Sequence, residues 1–98
     1  MPDRPVLIGT LLEDASLTLE QVCSACAVGP EWVAGHVREG HLHSVGEPPS
    51  QWRFSSRDLW RARQIRRLEV TFDAGPELAA LVADLLEELD RLRAQLRR

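Results

Sequence analysis

The sequence predicts an all-α protein with a small β wing. Three observations support this prediction: two short helical repeats separated by a turn that contains glycine, an alternation of polar and apolar residues around a proline-rich turn, and two longer helical repeats that follow. A helix, a turn and a second helix together form a helix-turn-helix unit. With 98 residues, the chain can bury one modest core but not a large catalytic cleft.

Capping signals delimit the first two helices. Thr18 followed by Gln21 fits a capping box, so helix one is predicted over about residues 18–27. Pro30 fits the first position of helix two, which runs to about residue 39 before Gly40. One face of each helix repeats apolar or aromatic side chains, namely Leu19, Val22, Cys23 and Cys26, then Trp32, Val33, His36 and Val37.

The wing is predicted from alternation on both sides of a turn. Residues 41–45 and 51–54 alternate between polar and apolar side chains, and residues 46–50 have the composition of a turn. Trp52 and Phe54 fall on the same face of the second strand, so we expect both to pack in the core.

Three further expectations concern isolated positions. Residues 5–12 are apolar without helical spacing, which predicts a short strand or an anchored arm. His41 and His43 are expected to be exposed on the wing, where they would make partner binding sensitive to pH below ~6.5. Trp60 is expected to lie in the core or at a dimer contact.

A second capping box, Ser55 with Asp58, begins helix three, which runs to about Val70. Its apolar positions are expected to face inward, namely Leu59, Trp60, Ala62, Ile65 and Leu68. Most of its arginines are expected to face outward, namely Arg57, Arg61, Arg63, Arg66 and Arg67. Gly75 and Pro76 end that helix and begin helix four. We therefore predict a winged helix-turn-helix domain over residues 1–72 and a dimerisation helix over residues 73–98.

Helix four carries a heptad seam. Its apolar residues follow one another at spacings of four, three, four, three and four: Leu78, Val82, Leu85, Leu89, Leu92 and Leu96. These positions form one narrow stripe that a second helix must cover. The rest of the chain is too short to supply a long partner helix, so the seam predicts a homodimer with an antiparallel, coiled-coil-like interface; the alternative is an ordinary core helix.

Composition excludes several classes of protein. No stretch approaches the ~20 apolar residues that cross a bilayer, and the start of the chain does not resemble a signal peptide, so we expect a cytoplasmic protein. Cys23 and Cys26 lie near histidines, but their spacing does not fit a zinc finger and both fall on the apolar face of helix one. No phosphate loop, nucleophile elbow or paired carboxylates in a cleft are recognisable. We therefore predict no enzyme activity, no cofactor and no metal.

Charge is unevenly distributed along the chain. All twelve basic residues are arginine, and the net charge is −5 over residues 1–50, +5 over residues 51–67 and −3 over residues 68–98. An acidic first part and an acidic tail therefore flank a basic middle segment.

At the residue level the chain resembles the CbpM-type chaperone modulators, which have a MerR-like winged-helix fold. Three groups of segments carry the resemblance, which spans about residues 17–98: residues 17–26 with 30–33 and 38–42, residues 52–54, and residues 65–68 with 85–92. The resemblance implies a protein that binds the J-domain of a DnaJ-like, curved-DNA-binding co-chaperone and inhibits it. It also implies that acids meet a basic helix of the J-domain. The candidate partner-binding residues are Glu20, Glu31, Trp32, His36 and Glu39, with Trp32 and His36 expected to be exposed, and Glu87, Glu88 and Asp90 on helix four.

The leading alternative is a MerR-type transcriptional regulator. Such a regulator places helix two in the major groove, but here that helix carries Arg38 against Glu31 and Glu39, and carboxylates repel phosphates. The sequence therefore argues against direct DNA reading, although the arginines of residues 51–67 leave open a weak contact with phosphates. A dimerisation module with some other protein partner is a third possibility.

Overall fold

The computed structural model describes residues 16–97, and this part of the chain contains four helices and two short strands. In chain order they are β1 (Leu17–Thr18), α1 (Leu19–Cys26), α2 (Pro30–Arg38), β2 (Arg53–Phe54), α3 (Ser56–Phe72) and α4 (Pro76–Leu96). The predicted fold class is confirmed. The arm or strand predicted for residues 5–12 lies outside the described residues. None of the described helices is long and apolar enough to cross a membrane.

Both predicted capping boxes are present. The Thr18 backbone N–H donates to Gln21 Oε1 at 2.8 Å, and the Gln21 backbone N–H donates to Thr18 Oγ1 at 3.1 Å. Before α3, the Asp58 backbone N–H donates to Ser55 Oγ at 3.0 Å and the Ser55 backbone N–H donates to Asp58 Oδ2 at 3.1 Å. Each box satisfies amide donors that the first turn of a helix leaves unpaired, which fixes where each helix starts.

The β structure differs from the predicted hairpin. β2 pairs antiparallel with β1, with Leu17 opposite Phe54, and the wing contributes only a single bridge between Val45 and Arg53. The predicted hairpin was too long because a 3-10 turn at Pro49–Gln51 takes Gln51 out of the extended conformation, and only Arg53–Phe54 continue as a strand. The strand at residues 17–18 was not predicted, since two residues carry no periodicity.

The chain divides into two compact units between residues 63 and 64, so the described residues 16–63 belong to the first unit and 64–97 to the second. In the first unit the buried apolar side chains include Val22, Val33, Leu42, Trp52, Phe54 and Ala62. Trp52 and Phe54 meet edge to face with their ring centroids 6.2 Å apart, so their predicted place in the core is confirmed. The division into units falls inside α3, and the boundary predicted at residue 73 stays a prediction.

In the second unit, α4 buries small side chains and exposes large ones. Ala79, Ala80 and Ala83 are buried. The leucines of the predicted seam are 43 to 85 % exposed, and Val82 is half-buried. Trp60, on the part of α3 that belongs to the first unit, is 36 % exposed and is therefore only partly in the core.

Gly46 in the wing turn is expected not to tolerate alanine. Its φ of +100° disfavours any residue with a Cβ, and that Cβ would lie 2.7 Å from the backbone oxygen of Gln51. Gly46→Ala should lower the free energy of unfolding by about 1–3 kcal/mol, as measured by urea denaturation. Gly35→Ala is the matched control: no atom lies within 4 Å of its Cβ position on α2, so alanine should raise stability by about 0.5–1 kcal/mol. Equal effects of the two substitutions would contradict this account.

Candidate functional site: two acidic surfaces and a leucine seam

The first acidic surface lies on the helix-turn-helix unit. Glu20 on α1, Glu31 in the first turn of α2 and Glu39 at the end of α2 are all exposed, and Trp32 is half-buried. We call these four residues the helix-turn-helix acidic surface. The exposed carboxylates agree with the sequence-based expectation, whereas Trp32 is less exposed than expected because its ring packs against His36, with centroids 4.4 Å apart.

His36 is not exposed, and the expectation that it belongs to an open surface is wrong. Its side chain is 5 % exposed, and its Nδ1 lies 2.8 Å from Nδ1 of His41. Because His36 follows Trp32 by four residues and Val33 by three, it shares the inward face of α2. Its ring packs against the ring of Trp32.

The outward orientation predicted for most of the α3 arginines is wrong for Arg61. It is 8 % exposed, and its Nε donates a hydrogen bond to the backbone oxygen of His41. His41 itself is half-buried rather than fully exposed, and its ring contacts that of His36. A signal for this was available in the sequence, since Arg61 precedes Ile65 by four residues and Leu68 by seven, which places it on the apolar face of the helix.

The thiol pKa of Cys23 on α1 responds to the electrostatic field of this surface. Burial raises the pKa of the Cys23 thiol, and the negative charges of Glu31 and Glu20 raise it further. The fields of two carboxylates from different helices therefore overlap at this half-buried thiol. The field at this position is negative, so the surface attracts cations.

A groove lies beside the same residues. It has a volume of about 630 Å³ and is lined by Leu19, Glu20 and Cys23 of α1, by Pro30 and by Pro49 of the wing turn, with Arg53 of β2 among the other lining residues. Sequence reasoning missed this groove, because it forms only where the wing turn approaches the helix-turn-helix unit. We call it the wing groove.

The second acidic surface is on α4 and is less open. Glu88 pairs with Arg91 one turn further along, and both are exposed, so the pair adds little to stability. Glu87 is half-buried, and Asp90 is exposed. We call Glu87, Glu88 and Asp90 the tail acidic cluster.

The arginines of residues 51–67 have mixed environments. Arg57, Arg63 and Arg67 are exposed, but Arg67 Nη2 donates to Gln64 Oε1 at 2.8 Å. Arg53 is half-buried, with its Nη1 donating to the backbone oxygen of Trp52 at 2.8 Å. Together with the buried Arg61, these contacts leave fewer guanidinium groups available for phosphates than the sequence suggested.

The cysteines and histidines do not assemble into a metal centre in the described residues, where no group of three potential ligands comes together. Cys26 is buried and Cys23 is half-buried, and neither forms a disulfide. His43 is exposed at its side chain, and its backbone N–H lies 3.4 Å from Asp58 Oδ1.

This architecture is that of a winged helix-turn-helix protein with an additional C-terminal helix, and comparison with known proteins assigns it to a family. The profile described as "MerR HTH family regulatory protein" matches residues 17–98, so the chain belongs to that family. Over 79 residues the chain is 28 % identical to the chaperone modulatory protein CbpM of Pseudomonas entomophila (strain L48), a match that covers 81 % of this chain and 78 % of that protein. The CbpM-type resemblance inferred from the motifs is confirmed. No solved structure matches the chain significantly.

Proposed function

We propose that the protein is a non-enzymatic chaperone modulator of the cytoplasm that binds the J-domain of a DnaJ-like co-chaperone and inhibits it. Two independent lines support the proposal. One is the similarity to a chaperone modulatory protein over most of both chains. The other is the acidic character of the helix-turn-helix unit, where a DNA-binding relative would need cations.

The observation that carries the proposal is the surface of α2. The exposed charges of this helix and its C-cap are Glu31, Arg38 and Glu39, two acids against one base. In a DNA-reading protein this helix enters the major groove, where both carboxylates would face phosphates. The same charges attract a basic protein segment and accelerate its encounter with this surface. The helix is therefore suited to a basic polypeptide rather than to DNA.

Of the two acidic surfaces, the helix-turn-helix acidic surface is the better candidate for the partner contact. It combines carboxylates with the half-buried ring of Trp32, and a partly desolvated aromatic is the kind of residue that dominates binding energy. The tail acidic cluster offers no aromatic, and Glu88 already has Arg91 as a partner. We assign the tail acidic cluster a secondary role in attracting the J-domain.

The proposed functional unit is a homodimer joined through α4. The seam extends over about 27 Å of helix at ~1.5 Å per residue, and its leucines are exposed in the single chain. Burying each of these side chains contributes up to ~2 kcal/mol. An exposed apolar stripe of this length is rare on a monomer, which favours a second copy of the chain as its cover.

Charge reversal on α2 is expected to weaken binding of the J-domain. Glu31→Arg replaces an attractive charge with a repulsive one, so we expect the Kd to rise at least tenfold at ~0.15 M salt, as measured by calorimetry with the isolated J-domain of a DnaJ-like protein from the same genome. Glu87→Arg should have a smaller effect, because its site is only a secondary contact.

Glu77→Arg serves as the matched control, since it makes the same change of charge at an exposed position in the first turn of α4, outside both acidic surfaces and the wing groove. It should leave the Kd within about twofold. If Glu31→Arg and Glu87→Arg both bind as well as the parent, the assignment of the acidic surfaces is wrong.

The alternative function, a MerR-type transcriptional regulator, is favoured by the family match and by the exposed Arg57 and Arg63 on α3. Phosphate contacts from these side chains would give weak binding without sequence reading, and salt would abolish it. Sequence-specific binding to a duplex at ~0.2 M salt, with no affinity for any J-domain, would establish the alternative in place of the proposal.

A further inference from the structure

The wing groove is large enough to receive an apolar side chain together with part of the segment that carries it. It lies within the first compact unit, at the junction of α1, the start of α2 and the wing turn, and its volume of about 630 Å³ is in the range of small binding pockets. Leu19, Pro30 and Pro49 give it apolar walls. An apolar side chain that enters the groove would therefore be removed from water on several sides.

The charges around the wing groove select the kind of partner. Glu20 lines the groove, and the fields of Glu20 and Glu31 both reach the Cys23 thiol in its wall, where they raise the thiol pKa after the larger effect of burial. Arg53 lines the opposite, wing side of the groove and keeps its positive charge there, since its Nη1 donates to the neutral backbone oxygen of Trp52. The α1 and α2 side of the groove is therefore negative, and it complements a cationic segment.

We propose that the wing groove receives an apolar side chain from a Lys- or Arg-rich helix of the J-domain, while Glu20 and Glu31 pair with cations that flank this side chain. This inference rests on the proposed function and adds the position at which the partner docks. The apolar insertion supplies the affinity that surface charges alone do not give, because exposed ion pairs contribute little net binding energy.

Cys23 provides a direct test, because the partner would cover it. The thiol is labelled with N-ethylmaleimide at pH ~8.5, where enough thiolate forms despite the raised pKa, and adducts are located by mass spectrometry. A saturating concentration of the J-domain should slow labelling of Cys23 at least tenfold. Cys26 is buried in the single chain, so its labelling reports unfolding rather than docking, and its rate should not change when the J-domain is added.

A pair of serine substitutions gives a second readout. Ser50 lines the groove, so Ser50→Arg introduces a bulky cation and should raise the Kd for the J-domain at least tenfold. Ser56→Arg makes the same change at an exposed position in the first turn of α3, outside the groove, and should leave the Kd within about twofold.

The outcomes separate the two proposals. Failure of the parent protein to form any complex with the J-domain overturns the proposed function and the docking position with it. A different result overturns the docking position alone: the complex forms normally, Cys23 is labelled as fast as in the absence of the J-domain, and Ser50→Arg binds like Ser56→Arg. In that case the proposed function is retained, with the partner contact on the rest of the helix-turn-helix acidic surface.

Discussion

Leu89→Glu is expected to convert the proposed homodimer into monomers. Leu89 lies in the middle of the α4 seam and is 43 % exposed in the single chain. The substitution removes an apolar contribution of ~2 kcal/mol and places a carboxylate in the interface, and a symmetric dimer contains it twice. A loss of at least ~4 kcal/mol corresponds to a rise in the dimer Kd of about 10³-fold. Analytical ultracentrifugation from ~1 to ~100 μM should detect the shift.

Ala94→Glu is the matched control for this substitution. It introduces the same carboxylate at an exposed position of α4 on the side away from the seam, so the dimer Kd should remain within about threefold. A parent protein that sediments as a single subunit at tens of micromolar would contradict the dimer proposal. So would a Leu89→Glu variant that dimerises like the Ala94→Glu control.

Phe54→Ala is expected to be the most destabilising single truncation in the first unit. Phe54 is 1 % exposed, pairs with Leu17 across the sheet and contacts the edge of Trp52. Removing the ring leaves a cavity at the junction of β2 with the helices, so the free energy of unfolding should fall by about 3–5 kcal/mol. Urea denaturation followed by circular dichroism at a fixed protein concentration measures this change.

The sequence offers a matched control in its other phenylalanine. Phe72 ends α3 and is 70 % exposed, so Phe72→Ala should cost less than about 1 kcal/mol. Similar losses at the two positions would mean that burial in the single chain does not decide the stability of this protein.

Most of the helical framework could be predicted from the sequence, because its signals are local. The capping boxes at Thr18 and Ser55 and the prolines at the starts of α2 and α4 act within three or four residues of the chain. Predicted helix starts therefore agreed with the structure to within about one residue. The core positions of Trp52 and Phe54 were also predictable, since alternation puts both on one face.

The candidate site was predictable only in part. Exposed carboxylates such as Glu20 and Glu31 follow from the polar faces of their helices, whereas the burial of His36 and Arg61 depends on contacts with His41, which is far along the chain from Arg61. Polar residues enter a core only when a partner satisfies them. Periodicity identifies the inward face of a helix, but it does not identify the hydrogen-bond partner that a polar residue on that face will have.

The sequence by itself determined where the helices of this protein begin, which stripe of α4 is apolar and how charge is divided along the chain, because these properties depend on neighbouring residues alone. Only the tertiary structure decided that the wing is paired through a single bridge, that the backbone oxygen of His41 is the hydrogen-bond partner of Arg61 and that a groove opens beside Cys23. Each of these depends on segments that are distant in sequence and adjacent in space, and the free energy of such contacts has no local signature.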